Sequence, residues 1–191
     1  MTTSSRRSIV SAIVLCILLA ACSGEDEQTS IDSGGPRLVD ACTLLQTEEI
    51  AAVLGVKIEP GKQGHSTEGS ATSGRLSSCS WESADDPAQT DAVAALKDKR
   101  YVNLMVWTWP AGSNGASNYM DGMRTAANQN DVPQPSEVAI GDDALYFPSQ
   151  GLHVRKQDAN FTLSVTGLKQ SDQTEIGKLH EALAKHVIER L

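Results

Sequence analysis

The chain lacks the marks of several function classes. It is acidic, with 16 Lys and Arg against 24 Asp and Glu and a net charge of −8. It therefore has no basic stripe to neutralise phosphates, and nucleic acid is excluded as a partner. No apolar run reaches the ~20 residues a helix needs to cross hydrocarbon, and the stretch from Ile9 to Ala21 stops well short. There is no zinc-hydrolase pair of histidines, no serine elbow, no Ser-x-x-Lys and no dinucleotide fingerprint. Gly69 to Arg75 has the glycine spacing of a phosphate loop, but Arg75 stands where Lys belongs and Leu76 where Ser or Thr belongs. The chain thus reads as a non-enzyme with no cofactor and no metal. Aromatic residues are scarce, at 4%, so a cluster of them stands out.

What is present begins with Arg6 and Arg7, the apolar run, and Leu19-Ala20-Ala21 directly before Cys22. A charged start, a short apolar core and a small-residue cleavage site make a secretory signal. The Cys at that point makes it a lipobox. Residues 1–21 are the predicted signal peptide and Cys22 the predicted first mature residue. Resemblance to bacterial lipoprotein signals implies a diacylglyceryl thioether on Cys22 and a modified amino terminus, palmitate among the acyl groups. Two or more acyl chains anchor stably where one binds only marginally. The predicted location is extracytoplasmic and membrane-anchored in the cell envelope. Ser23, in place of a retention Asp, points to the outer membrane of a two-membrane host. In a one-membrane host the anchor is the outer face of the plasma membrane. Without residues 1–21 the chain is two charges more acidic, so the lipid and not the surface holds it down.

Of the four cysteines, Cys16 leaves with the signal and Cys22 takes the lipid. Cys42 and Cys79 remain as one pair in an oxidising compartment, and a disulfide between them is the default. The alternatives are a metal pair or two free thiols; no C-x-x-C or histidine spacing supports metal. Residues 22–36 are polar and acidic, closing on Gly34-Gly35-Pro36, and read as a flexible tether. Residues 37–191 are the predicted single domain.

Regular structure is predicted from Asp40. Thr47 reads as the N-cap of a helix with Glu48 and Glu49 in its first turn, Ile50, Val53 and Leu54 inward, and Gly55 as the stop. Cys42 lies in the turn before it. Residues 60–78 are Gly-, Ser- and Thr-rich and read as a long loop. Ser78 to Glu82 reads as a short strand. Ala84 to Lys99 reads as a loop with one helical turn near Val93–Leu96. Arg100 to Trp109 is the strongest strand, with Val102, Leu104 and Val106 on one face and Tyr101, Met105, Trp107 and Trp109 on the other. Both faces are largely apolar, which predicts a central position. Ser113 to Asn128 reads as a helix with Ala116, Tyr119, Met120, Met123 and Ala127 inward.

Strands are then predicted over Glu137–Ile140, Ala144–Phe147, Leu152–Lys156 and Phe161–Thr166, separated by turn signals. In the last two, Leu152, Val154, Phe161, Leu163 and Val165 oppose a polar set of His153, Arg155, Thr162, Ser164 and Thr166. That alternation suits an antiparallel sheet with one buried and one polar face. Asp172 with Glu175 starts a final helix with the stripe Ile176, Leu179, Leu183, Val187 and Leu191. The predicted fold is α+β: an antiparallel sheet of about five to six strands, packed by two to three helices, with one disulfide.

The blocks Asp40-Ala41-Cys42-Thr43-Leu44-Leu45, Glu49 to Gly55, Ser78-Cys79-Ser80-Trp81 and Ile140-Gly141-Asp142-Asp143-Ala144 together resemble small bacterial envelope lipoproteins of unknown function. Gln46 stands where related sequences often place a capping Thr. The resemblance spans most of Asp40 to Val165. It implies an extracytoplasmic α+β domain with Cys42 bonded to Cys79, and it brings no catalytic residues.

The histidines are His65, His153, His180 and His186. His180 and His186 are about 120° apart around one helix, too far to share a metal, and read as solvated flank. Asp142 and Asp143 diverge as neighbours must, and read as turn-capping residues. The candidate binding surface is Tyr101, Met105, Trp107 and Trp109 with His153 and Arg155. If these share one sheet face, they form a rigid aromatic-polar platform. The function predicted is a lipid-anchored, non-catalytic binding or accessory module for a small apolar or sugar-like ligand or an envelope protein. The alternatives are a structural or protein-interaction lipoprotein without a ligand, and an enzyme with an unrecognised site.

Overall fold

A seven-stranded antiparallel sheet forms the centre of the fold, one or two strands more than the alternation predicted. The computed structural model describes residues 35–70, 72–85, 99–129, 133–168 and 173–191. The predicted signal, the predicted lipidation site Cys22, most of the predicted tether, the predicted turn near Val93–Leu96 and Asp172 lie outside these residues. The strands are β1 (Lys62–Thr67), β2 (Arg75–Glu82), β3 (Tyr101–Thr108), β4 (Ser136–Glu137), β5 (Asp143–Phe147), β6 (Gly151–Lys156) and β7 (Ala159–Thr166). Their spatial order is β1-β2-β3-β7-β6-β5-β4. Four helices accompany them among the described residues: α1 (Ala41–Leu44), α2 (Thr47–Leu54), α3 (Gly115–Gln129) and α4 (Gln173–Arg190). The architecture is α+β, as the pattern of elements predicted.

The alternation decides which side is core. Cys79 and Trp81 of β2, Val102, Leu104 and Val106 of β3, and Phe161 and Leu163 of β7 are almost fully buried on one face. Helices α1, α2 and α4 close over it with Ala41, Leu44, Ile50, Leu183 and Val187. Each such large side chain contributes about 1.5–3 kcal/mol of burial. The Cys42–Cys79 disulfide ties α1 to β2, with Cα atoms 5.1 Å apart.

Several local expectations are corrected. Residues 60–78 are not a loop: they hold β1 and the first half of a longer β2. Every residue of β1 is exposed, so it carries no apolar period to read. It is held by backbone pairing along the sheet edge. The N-cap of α2 is Gln46 and not Thr47, since Glu49 reaches back and accepts from the Gln46 backbone N–H at 2.9 Å. The Arg190 guanidinium, hydrogen-bonded to Glu49 (2.6 and 2.9 Å), holds that carboxyl down at about pKa 2. Gly55 stops the helix in the left-handed region, φ 66°. The strand predicted over Glu137–Ile140 is the two-residue β4, Ser136–Glu137, followed by one further backbone bond from the Val138 N–H to the Ala144 carbonyl at 3.1 Å.

His180 is not solvated flank but 2% exposed. Strand β6 begins at Gly151 and pairs Leu152 with Leu163, so Val165 lies beyond that ladder. His180 supplies the missing acceptor: Nε2 accepts from the Val165 N–H at 3.1 Å, while Nδ1 donates to the Ile176 carbonyl at 2.8 Å. The pair of bonds fixes a neutral tautomer. Asp142 and Asp143 diverge as read. Asp142 accepts from the Gln157 N–H (2.6 Å) and steadies that residue at φ 53°, whereas Asp143 takes Arg124 through both oxygens.

A candidate aromatic groove at the end of strand β3

The register brings the predicted surface residues onto one face. Met105 lies opposite Thr162 and Thr162 opposite His153, while Trp107 lies opposite Asn160 and Asn160 opposite Arg155. Tyr101 and Trp109 extend the row at its two ends. The face is not uniformly open, as the polar alternation of β6 and β7 had implied. Helix α3 covers its β5–β6 part with a second, smaller core of Met120, Ala127, Leu145 and Phe147. His153 is therefore only 4% exposed. Its Nδ1 meets the hydroxyls of Thr162 (3.1 Å) and Tyr119 (3.3 Å), and its Nε2 has no partner. Burial pushes its pKa down to about 4. Tyr101, Met105, Trp107 and Arg155 are half-buried. Trp107 packs against Tyr119 with ring centroids 5.3 Å apart.

The open concavity lies one step further along, where β3 turns into α3. Trp109 N–H still bonds to the Asp158 carbonyl at 2.8 Å, and Pro110 then ends the strand. Ser113 N–H closes a turn onto the Pro110 carbonyl (3.0 Å), and α3 starts at Gly115. Gly115 is needed because any Cβ there would enter the Trp109 ring. Asn160, fully buried, clamps the corner: its Oδ1 accepts from Trp109 Nε1 (2.8 Å) and its Nδ2 donates to the Ala116 carbonyl (3.1 Å). The result is a groove of about 500 Å³ lined by Trp109, Tyr119, Asn114, Asn118, Ser113 and Thr72, with Pro110 and Gly115 completing it.

Of the six residues singled out in the sequence, only Trp109 lines this groove. Trp107 and His153 brace Tyr119 from below, and Tyr101, Met105 and Arg155 lie elsewhere on the face. The residues missed were Asn114, Asn118 and Tyr119. Asn114 and Asn118 are one helical turn apart and so share a helix face, a signal readable in the sequence. Comparison with protein-family models, with curated proteins and with solved structures finds no match to this chain.

The Asn160 clamp is testable. Asn160→Ala is expected to cost about 2 kcal/mol, because Trp109 Nε1 and the Ala116 carbonyl lose their partner in a buried setting. It should also red-shift the Trp109 emission as the ring loosens. Urea unfolding and emission spectra check both, and an unshifted, equally stable variant would refute the clamp.

Proposed function

We propose that the protein is a lipid-anchored, extracytoplasmic binding module of the cell envelope that is not a catalyst and receives a neutral, sugar-like ligand in the Trp109–Tyr119 groove. The observation that carries this reading is the groove lining: two aromatic rings with the amides of Asn114 and Asn118 and the hydroxyls of Ser113 and Thr72. Rings stack on the apolar faces of a sugar, and amides and hydroxyls both donate to and accept from its hydroxyls. No Asp, Glu, Lys or Arg is among the described residues of the lining, which suits an uncharged ligand. The non-catalytic reading draws support from His153, whose partners are the hydroxyls of Tyr119 and Thr162 and not a carboxylate that would orient it as a base. The anchor rests on the lipobox and Cys22, and the Cys42–Cys79 disulfide supports an oxidising compartment. The resemblance to small envelope lipoproteins points the same way.

Titration of the full chain with a panel of neutral oligosaccharides, followed by tryptophan emission and by the side-chain amide signals of Asn114 and Asn118, tests the reading. At least one oligosaccharide is expected to give a saturable change that Asn118→Ala weakens about tenfold. Asn118 is exposed, so this variant should keep its fold. No saturable change across the panel, or one that Asn118→Ala leaves intact, would overturn it.

A further inference from the structure

A second cleft lies on the opposite face of the sheet, at its far edge. It has a volume of about 510 Å³ between β4–β5 and the first turns of α4, within the size range of small-molecule sites. Its floor is apolar, from Val138, Pro148, Leu152 and the Tyr146 ring, and Glu137 and Glu181 stand at its rim. We propose that this cleft is a binding site for a small organic cation, an ammonium group on an apolar body.

Three observations carry the proposal together. Tyr146 is 8% exposed and lines the cleft, yet its hydroxyl has no hydrogen-bond partner. Buried hydroxyls are paired as a rule, so an unpaired one beside a cavity fits a ligand group that completes it. Gly177 faces the same space from α4, and a Cβ built there would meet nothing within 4 Å. Glycine weakens a helix interior, and no packing contact accounts for it here; what its absent side chain does is keep the cleft open. Third, among the described residues the ionisable groups of the lining are carboxyls and the Tyr146 phenol, with no Lys, Arg or His. A cation is favoured there and an anion repelled, and the net charge of −8 adds to the same bias. An ammonium can donate to the Tyr146 oxygen and to a rim carboxylate while its body lies on Val138 and Pro148.

The test uses the full chain in detergent with isotope-labelled glycine, and phenethylamine as the probe. The matched neutral and anionic probes are 2-phenylethanol and phenylacetate. Phenethylamine is expected to shift the Gly177 amide signal saturably and to leave that of Gly115, in the aromatic groove, unmoved. 2-Phenylethanol should bind about tenfold more weakly, and phenylacetate should give no saturable shift. Gly177→Leu should abolish binding by filling the cleft, read from the Ala139 signal after alanine labelling. Tyr146→Phe removes a hydroxyl that bonds to nothing in the fold, so it should fold normally and bind about tenfold more weakly. A Gly177 signal that stays still, equal binding of phenylacetate, or unchanged affinity in Tyr146→Phe would each overturn the proposal.

Discussion

Replacing Cys42 and Cys79 together by alanine is expected to lower the unfolding free energy by about 4 kcal/mol. The bridge closes a loop of sequence separation 37, and a cross-link of that span removes a large share of unfolded-chain entropy. The loop it closes is also the part of the fold least able to hold itself. Strand β1 buries no side chain, and among the described residues it lies at the sheet edge with β2 as its one neighbouring strand. Helix α1 is one turn long, capped by Asp40 through the Cys42 N–H at 2.9 Å. Its burial of Ala41 and Leu44 depends on staying against β2 and α4. Alanine is chosen over serine because Cys79 is 2% exposed, and a hydroxyl there would add a cost unrelated to the cross-link. Urea unfolding of the double variant should agree with unfolding of the native chain under reductant. Hydrogen exchange should show β1 losing protection before β3 and β7. A stability loss below about 1 kcal/mol by both routes would mean that packing alone holds the α1–β2 corner.

The same contrast explains what could be read in the sequence. The central strands were legible because both faces of β3 are apolar and because Leu152, Val154, Phe161, Leu163 and Val165 alternate without a break. The inner side chains of these strands are the core, and a period of two in apolar residues is a direct record of burial. Strand β1 was not legible because backbone hydrogen bonds leave no mark in side-chain pattern. His180 was misread for a related reason. Its polarity suggested solvent, whereas its place is set by a vacant backbone donor on β7 beyond the start of β6, a fact of register between strands distant from it in sequence. At the candidate site, the shared face followed from strand alternation, and the groove did not. The groove is made where a helix leaves the end of a strand, and the approach of Gly115 to Trp109 and the clamp by Asn160 are long-range contacts. Covering of His153 by α3 likewise depended on which sheet face that helix chose.

Acid is expected to weaken the fold most between about pH 6.5 and 4, by about 3 kcal/mol on account of His153 alone. Burial holds the folded pKa of His153 at about 4, against 6.5 for a free imidazole. In that window the unfolded chain binds a proton that the folded chain refuses. Stability is therefore full above about pH 6.5 and declines as pH falls toward 4. His180 acts in the same direction, because burial lowers its pKa and outweighs the opposing bond to the Ile176 carbonyl. Protonating it would also take from Val165 N–H its acceptor. Glu49 titrates in a lower window. Its carboxyl, depressed to about 2 by Arg190, contributes above pH 4.5, and that contribution is lost as pH falls toward 2. His153→Leu should flatten the slope between pH 6.5 and 4 while leaving the lower window in place. The exchange orphans neither hydroxyl, since Tyr119 and Thr162 still meet each other at 3.3 Å. Urea unfolding at a series of pH values decides the matter, and an unchanged slope in His153→Leu would show that the imidazole is not the acid-labile group. The consequence reaches the proposed groove. His153 sits beneath Tyr119, and Tyr119 packs on Trp107 and lines the groove with Trp109, so charging His153 loosens the groove wall directly, whereas His180, the buried imidazole of the opposite core, bonds to Val165 and Ile176 and packs on Tyr146, away from the groove. Affinity in the groove should accordingly fall at a higher pH than global unfolding occurs.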